Sequence, residues 1–310
     1  STGLTYKMMR VFIVSHDVGG AEILSSWVRQ HPEHQYSFLL IGPAKVIFLQ
    51  KLGKVKSVVK SDLLAFVEGS DLVLTGSSES SDIEKQAIQA AQEIRTKSAT
   101  FLDYWYGYKQ RFKTKGVLNL PDEVWVGDQY AFELAQRELP GAEILLTKNP
   151  YIEDLLEEKS RLEKFSEAHV GTLRIVYLCQ PYTQNAYNNS DASNEITDIA
   201  ALKYCFGLLA GIRRVKVEVC VRLHPLEASD KYNEVISLFS DQMVIQLSNG
   251  RNLAYDLVWA DVAVGMHAQA LSVAVEFDRR VFHCIPHGGK PCVLPHDEIG
   301  DFSEWIRSML

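Results

Sequence analysis

The sequence predicts an α/β protein built from two Rossmann-like domains, each a parallel sheet covered by helices. Three observations predict it. Short β-branched apolar runs alternate with helix-length amphipathic segments along the chain, the pattern of repeated βαβ units. The series starts twice, at Arg10–Ser15 (RVFIVS) and again at Arg174–Cys179 (RIVYLC), with a break at Lys148-Asn149-Pro150 between them. The 310 residues also exceed what one core usually organises, so two domains of about 150 residues each are the default. Such sheets bind ligands at the carboxyl ends of their strands, and in a two-domain protein those edges are expected to face one another across a cleft.

The first domain is expected over residues 1–150. Arg10–Ser15 reads as a buried strand feeding a glycine loop, followed by a helix carrying Ile23, Leu24, Trp27 and Val28 and closed by His31-Pro32. Strands follow at Tyr36–Ile41, Val55–Val59, Leu72–Thr75, Ala99–Leu102, Glu123–Gly127 and Glu143–Thr147. Helices fall between them at Lys45–Leu52, Ser61–Val67 (opened by a Ser-Asp cap), Asp82–Lys97 and Asp128–Glu138. The charged segment Tyr151–Ala168 reads as a helical connection, a linker over 151–170.

The second domain, 171–310, repeats the pattern. After Arg174–Cys179 come helix Glu195–Ile212, strand Lys216–Leu223, helix Leu226–Phe239, strand Met243–Leu247 and helix Asn252–Ala260. Strand Asp261–Val264, helix His267–Phe277, strand Arg280–Ile285 and a terminal helix Asp301–Leu310 complete it.

Composition narrows the function classes. Hydrophobic residues make up 46% and charged residues 23%, ordinary for a folded protein. The net charge of −7, from 32 basic and 39 acidic residues, disfavours a nucleic-acid partner. Cys179, Cys205, Cys220, Cys284 and Cys292 form no CxxC pair and read as reduced thiols. No apolar run approaches the roughly 18 residues of a spanning helix, and no signal peptide opens the chain, so no transmembrane segment is expected. The expected location is the cytoplasm, or the inner membrane face as a peripheral protein.

Five segments could carry chemistry. His16 and Asp17 end the first strand, where a general base would sit, and Gly19-Gly20 would let a ligand approach the backbone. The loop lacks the full GxGxxG pattern. Ser77 and Ser78 lie in a hydroxyl-rich loop between a strand and a helix, suited to a hydrophilic acceptor or to simple capping. Asp103 opens an aromatic and basic stretch in which Tyr108, Lys109 and Arg111 suit a sugar ring or an anionic acceptor, or else form a core plug.

In the second half, Arg222-Leu223-His224-Pro225 places an imidazole at a strand's carboxyl edge, able to donate a hydrogen bond to phosphate. Gly265-Met266-His267-Ala268-Gln269 follows another strand, and the amides of Met266 to Gln269 are expected to point at a common anion from a helix start. Gln180, just after the Arg174–Cys179 strand, and Glu276, further along the later helix as a ribose ligand, complete the nucleotide-binding set. His283, His287 and His296 lack metal-ligand spacing; no metal and no cofactor is expected. No P-loop and no GxSxG elbow appears.

With Arg222-Leu223-His224-Pro225 and Gly265-Met266-His267 both placed after strands, the chain resembles GT-B fold glycosyltransferases. Within that fold it resembles the cytidine-nucleotide users: sialyl-, Kdo- and nonulosonate-type transferases of bacterial capsule and lipopolysaccharide synthesis, and CDP-glycerol transferases. The resemblance implies that His224 and the amides of Met266 to Gln269 bind the nucleotide phosphate. It implies a nucleotide-sugar donor, with a CMP-activated acidic sugar favoured, and a glycan or lipid-linked glycan acceptor. Sugar transfer to a hydroxyl would need no metal, and Asp17, then Asp103, with His16 beside them, are the candidate catalytic groups. These families place Ser or Thr at the helix start where this chain has His267-Ala268-Gln269, so Ser272 is the candidate replacement hydroxyl. Two other readings are open: a sugar-nucleotide epimerase or hydrolase on the same scaffold, and a non-catalytic nucleotide- or glycan-binding module.

Overall fold

A computed structural model describes residues 7–180, 196–248 and 250–310. The chain divides into two compact units, Ser1–Asp154 and Leu155–Leu310. In the first, β1 (Arg10–Ser15), α1 (Val18–Gln30), β2 (Gln35–Leu40), α2 (Ala44–Leu52), α3 (Leu63–Glu68), β3 (Leu72–Thr75), α4 (Ile83–Ile94) and β4 (Lys97–Phe101) alternate strands with helices, two helices lying between β2 and β3. Then come α5 (Tyr108–Arg111), a hairpin of β5 (Lys113–Thr114) and β6 (Val117–Leu118), β7 (Glu123–Val126), α6 (Gln129–Glu138) and β8 (Ile144–Leu146). Helix α7 (Pro150–Glu163) contains the division between the units.

The second unit runs β9 (Thr172–Leu178), α8 (Asp198–Leu209), β10 (Lys216–Arg222), α9 (Asn233–Phe239), β11 (Val244–Leu247), α10 (Leu253–Trp259) and β12 (Val262–Gly265). It ends with α11 (Ala270–Glu276), β13 (Arg280–His283), β14 (Ile299–Asp301) and α12 (Phe302–Met309). Each unit holds one six-stranded sheet, in the orders β2-β1-β3-β4-β7-β8 and β11-β10-β9-β12-β13-β14, with every pairing parallel.

Those orders locate the crevices. A parallel sheet leaves a gap beyond its carboxyl edge where successive connections leave in opposite directions. In the first unit the chain steps from β1 out to β2 and returns on the other side at β3, so the gap lies between β1 and β3. In the second it lies between β9 and β12. The strands flanking both gaps are continuous apolar runs, buried on both faces by helices: Val11 to Val14 and Leu72 to Leu74 in one sheet, Ile175 to Leu178 and Val262 to Val264 in the other.

Several local expectations are corrected. Val55–Val59 makes a single bridge, Phe38 to Ser57, and not a strand. The segment Ser61–Val67 is a 3-10 turn, Lys60–Asp62, followed by α3, and Asp62 makes no side-chain cap. Helix α4 stops at Ile94 because Arg95 turns left-handed (φ 63°), which frees Lys97 to open β4. Glu195, expected to start the long helix, lies outside the described residues, and α8 starts at Asp198 under a Thr197 cap. The hairpin β5–β6 and the edge strand β14 are too short to leave a periodic signal.

Two corrections touch candidate residues. Helix α9 begins at Asn233 and not Leu226, because Glu227 folds its side chain back onto the amide of His224 and the intervening residues form turns. Helix α11 begins at Ala270 and not His267, so Met266 to Gln269 form a loop before the helix and not its first turn.

Candidate functional site

At the β1/β3 gap, helix α1 starts immediately after Asp17, so Gly19 and Gly20 belong to its first turn and not to an open loop. Gly20 serves close packing: a Cβ on it would lie 3.4 Å from the Cα of Gly76. That contact brings the start of α1 against the loop after β3. Asp17 Oδ1 then accepts from His16 Nδ1 at 2.5 Å, Ser78 Oγ at 2.8 Å and Ser80 Oγ at 2.8 Å. Oδ2 takes no hydrogen bond among the described residues, and the side chain is 37% exposed. A carboxylate held by three donors through one oxygen, with the other open, has the geometry of a general base. The far side of the His16 ring rests on Gly42, where a Cβ would approach Nε2 to 2.7 Å. His16 therefore orients Asp17 through Nδ1.

Asp103, two residues beyond the end of β4, is bound differently. Its Oδ1 accepts from Arg111 Nη1 at 2.8 Å, and the same nitrogen donates to the carbonyl and hydroxyl of Ser77 at 3.0 and 2.9 Å. Arg111 is buried, so the expected acceptor-facing cation is instead a strut between the loops after β3 and β4. Tyr108 is likewise corrected: it is fully buried, donates its hydroxyl to the carbonyl of Tyr104 and has no ring face for a ligand. Lys109 is exposed, as is Tyr106. The aromatic stretch is thus mainly a core plug, with Trp105 bonded to the Asp128 cap of α6 at 2.9 Å.

In the second unit, Gly265 ends β12 where a Cβ would lie 2.9 Å from the carbonyl oxygen of Leu178 on β9. Only glycine lets these two strands end side by side at the gap. Gln180 follows β9 there, its side-chain oxygen buried and without a partner among the described residues. Met266, His267 and Ala268 are buried in the loop after β12. Burial, with His283 and Lys290 nearby, lowers the His267 imidazole to about 4, so its ring is neutral at pH 7. Ser272 does not replace a missing hydroxyl, because its Oγ donates to the carbonyl of Gln269 at 2.6 Å. Glu276 is also corrected: it is the exposed last residue of α11, at the end remote from the β12 edge.

His224 is the best-defined group of the second unit. It follows β10, whose Arg222 is pinned by the buried Asp256 (3.0 Å) and the carbonyl of Arg251 (2.7 Å). Glu227, whose side chain is buried, accepts from the His224 amide at 2.7 Å, from Lys231 at 2.9 Å and from Tyr232 at 2.5 Å. Lys231 reaches on to Asp198 at 2.6 Å. The His224 Nδ1 accepts from the Leu226 amide at 3.2 Å, which assigns the ring proton to Nε2. Burial lowers the imidazole below its ordinary pKa. The ring is thus a neutral donor with a fixed tautomer. Pro225 brings no amide of its own to this turn.

Side chains that the sequence reading did not assign include Asp256 and Glu227 in these networks and Glu84, buried on α4. Glu84 carried a usable signal, since it shares the inward face of α4 with Ile83, Ala87, Ile88 and Ala91. No cluster of three or more His, Cys, Asp or Glu side chains suited to a metal occurs among the described residues, and no helix there is long and apolar enough to cross a membrane.

The two-sheet architecture is shared with solved structures. The structure of MnaA with UDP from S. aureus superposes with a TM-score of 0.60 at 11% identity, covering 89% of this chain and 79% of that one. The fold is that of the GT-B enzymes. A UDP-N-acetylglucosamine 2-epimerase from Listeria monocytogenes gives 0.59 at 11% identity, covering 89% and 79%, and MurG from Acinetobacter baumannii gives 0.56 at 12%, covering 93% and 80%. At such identities the likeness carries the fold alone. No family model matches the sequence, and no curated protein matches it.

Proposed function

We propose that the chain is a GT-B sugar-nucleotide enzyme that transfers a sugar from a pyrimidine nucleotide to an acceptor hydroxyl. The observation that carries the reading is His224: a neutral imidazole of fixed tautomer at a strand's carboxyl edge, braced from below by Glu227. Its Nε2–H is suited to a phosphate oxygen, on which negative charge grows as the sugar leaves. Gln180 and the loop Gly265 to Gln269 flank the adjoining β9/β12 gap and would bind the rest of the donor. In the first unit, Asp17 would take the acceptor proton through Oδ2, oriented by His16, Ser78 and Ser80. Asp103 would position and not react, being engaged by Arg111. Lys109 remains the acceptor-side candidate among the exposed residues.

The finer donor reading, a CMP-activated acidic sugar, rests on Arg222-Leu223-His224-Pro225. UDP in the names of several similar structures supports uridine equally. A thermal-shift panel of CMP, CDP, UDP and GDP tests this, since a bound ligand raises the melting temperature by mass action. Stabilisation by CMP supports the narrower reading and by UDP the broader one; stabilisation by GDP alone, or by none, overturns both.

A second reading, a sugar-nucleotide 2-epimerase, is favoured by the epimerases among the similar structures. Product analysis separates them. Epimerised or hydrolysed sugar formed at full rate from donor alone would replace the transferase reading, and binding without turnover across an acceptor panel would mark a binding module.

A further inference from the structure

Glu84 lies on the first turn of α4, beneath the loop that carries Ser77 and Ser78, and is 2% exposed. Its Oε2 occupies the space that a side chain on Gly76 would need, 2.6 Å from that Cβ position. The backbone amide of Ser78 hydrogen-bonds to the carboxyl, while Oε1 is buried with no partner among the described residues. The charged groups that face it are Asp17 at the start of α1, Asp103 beyond β4 and Arg111 on α5. Arg111 is already bonded to Asp103 and Ser77, and no ion pair reaches Glu84 among the described residues. Glu79, in the same loop, adds a further carboxyl facing Arg111, Asp103 and Asp17.

A carboxylate so placed would be a buried charge with carboxylate neighbours and no cation of its own, which is costly. Burial, with Asp17 and Asp103 adding to it, raises the Glu84 carboxyl well above the usual range.

We propose that Glu84 is a protonated positioning residue: as a neutral acid it fills the space under Gly76, holds the Gly76–Ser78 loop and thereby sets the Ser78 hydroxyl on Asp17. Its effect on turnover rests on the reading of Asp17 as the acceptor base; its protonation does not. On ionisation the proton leaves to solvent, and a carboxylate beside Asp17 and Asp103 forces the loop outward. The device holds the base in place only while Glu84 stays neutral.

The test compares the full-length chain with Glu84→Gln, of the same shape but neutral at every pH. Infrared spectroscopy of the wild type at pH 7 is expected to show the stretch of a buried protonated carboxylic acid, shifted by labelling glutamate with carbon-13 and missing in Glu84→Gln. Thermal unfolding supplies the second readout. A carboxyl with a raised native pKa contributes stability that is complete below the usual glutamate range and is lost as pH rises towards the native value. The melting temperature of the wild type should therefore fall relative to Glu84→Gln as pH rises above the usual glutamate range. Once a reaction is assayed, the wild type should lose kcat on the alkaline side and the variant should not, with nucleotide binding equal in both.

A wild-type spectrum without a glutamic-acid band at pH 7 overturns the proposal, and so do parallel melting profiles for the two proteins. If the variant does not fold, absence of the band from the wild type still overturns the proposal. Failure of every nucleotide to bind would overturn the transferase reading and leave the infrared band and the melting profiles in place.

Discussion

Ser78 Oγ donates to Asp17 Oδ1 at 2.8 Å, joining the loop after β3 to the residue that opens α1. These loops come from strands adjacent in the sheet but 61 residues apart in sequence. The contact is possible because Gly20 and Gly76 meet without side chains.

Asp17→Asn keeps the shape and removes the basic oxygen. Turnover should fall by about 10²–10⁴-fold, the usual contribution of a general base, with nucleotide affinity unchanged. Steady-state kinetics on a protein with the wild-type melting temperature is the check; full turnover would remove Asp17 from the mechanism.

Gly265→Ala sets a methyl group 2.9 Å from the Leu178 carbonyl, a backbone atom that cannot swing aside. The strands must separate, at a cost of about 1–3 kcal/mol. Denaturant unfolding should show this loss, while Gly250→Ser, with open space around its Cβ position, should cost less through backbone strain alone.

Much of this architecture was legible in the sequence. Arg10–Ser15 and Leu72–Thr75 are apolar, β-branched and short, so composition alone reports them as buried strands, and the structure has strands with the same bounds. Helix starts were less legible. His267 and Leu226 continue an apolar helical period, but side-chain contacts within their loops, such as Glu227 with the His224 amide, keep the first residues out of the helix. Burial of polar groups was hardest to read. Tyr108 and Arg111 have the composition of a ligand surface, and it is Asp103 beyond β4 and Ser77 after β3 that hold Arg111 inward.

Asp256 is 1% exposed and receives Arg222 at 3.0 Å and Ser248 at 2.5 Å. Asp256→Ala removes the carboxylate partner of a partly buried guanidinium and should destabilise the second unit by about 3 kcal/mol, at the low end for a broken buried pair because Arg222 is part-exposed and keeps the Arg251 carbonyl. Chemical denaturation measures this, and a change below about 1 kcal/mol would show the pair to be a surface one.

His267 gives a pH dependence of definite sign. Its ring is neutral when folded, with a pKa lowered from 6.5 to about 4. Stability from this group is complete above pH 6.5 and declines as pH falls towards 4, by about 1.4 kcal/mol per unit, because the unfolded chain takes up a proton that the native one refuses. His267→Gln should flatten the melting profile across this window; an unchanged acid limb would place the proton elsewhere.

The most direct test of the nucleotide site is calorimetric titration of CMP and UDP into the wild type and into His224→Ala. The expected result is one saturable site for at least one of the two, weakened about 10- to 100-fold in the variant, as for loss of a hydrogen bond to a charged group. Binding of equal strength in both proteins, or none to the wild type, would contradict the assignment of His224 to the donor phosphate.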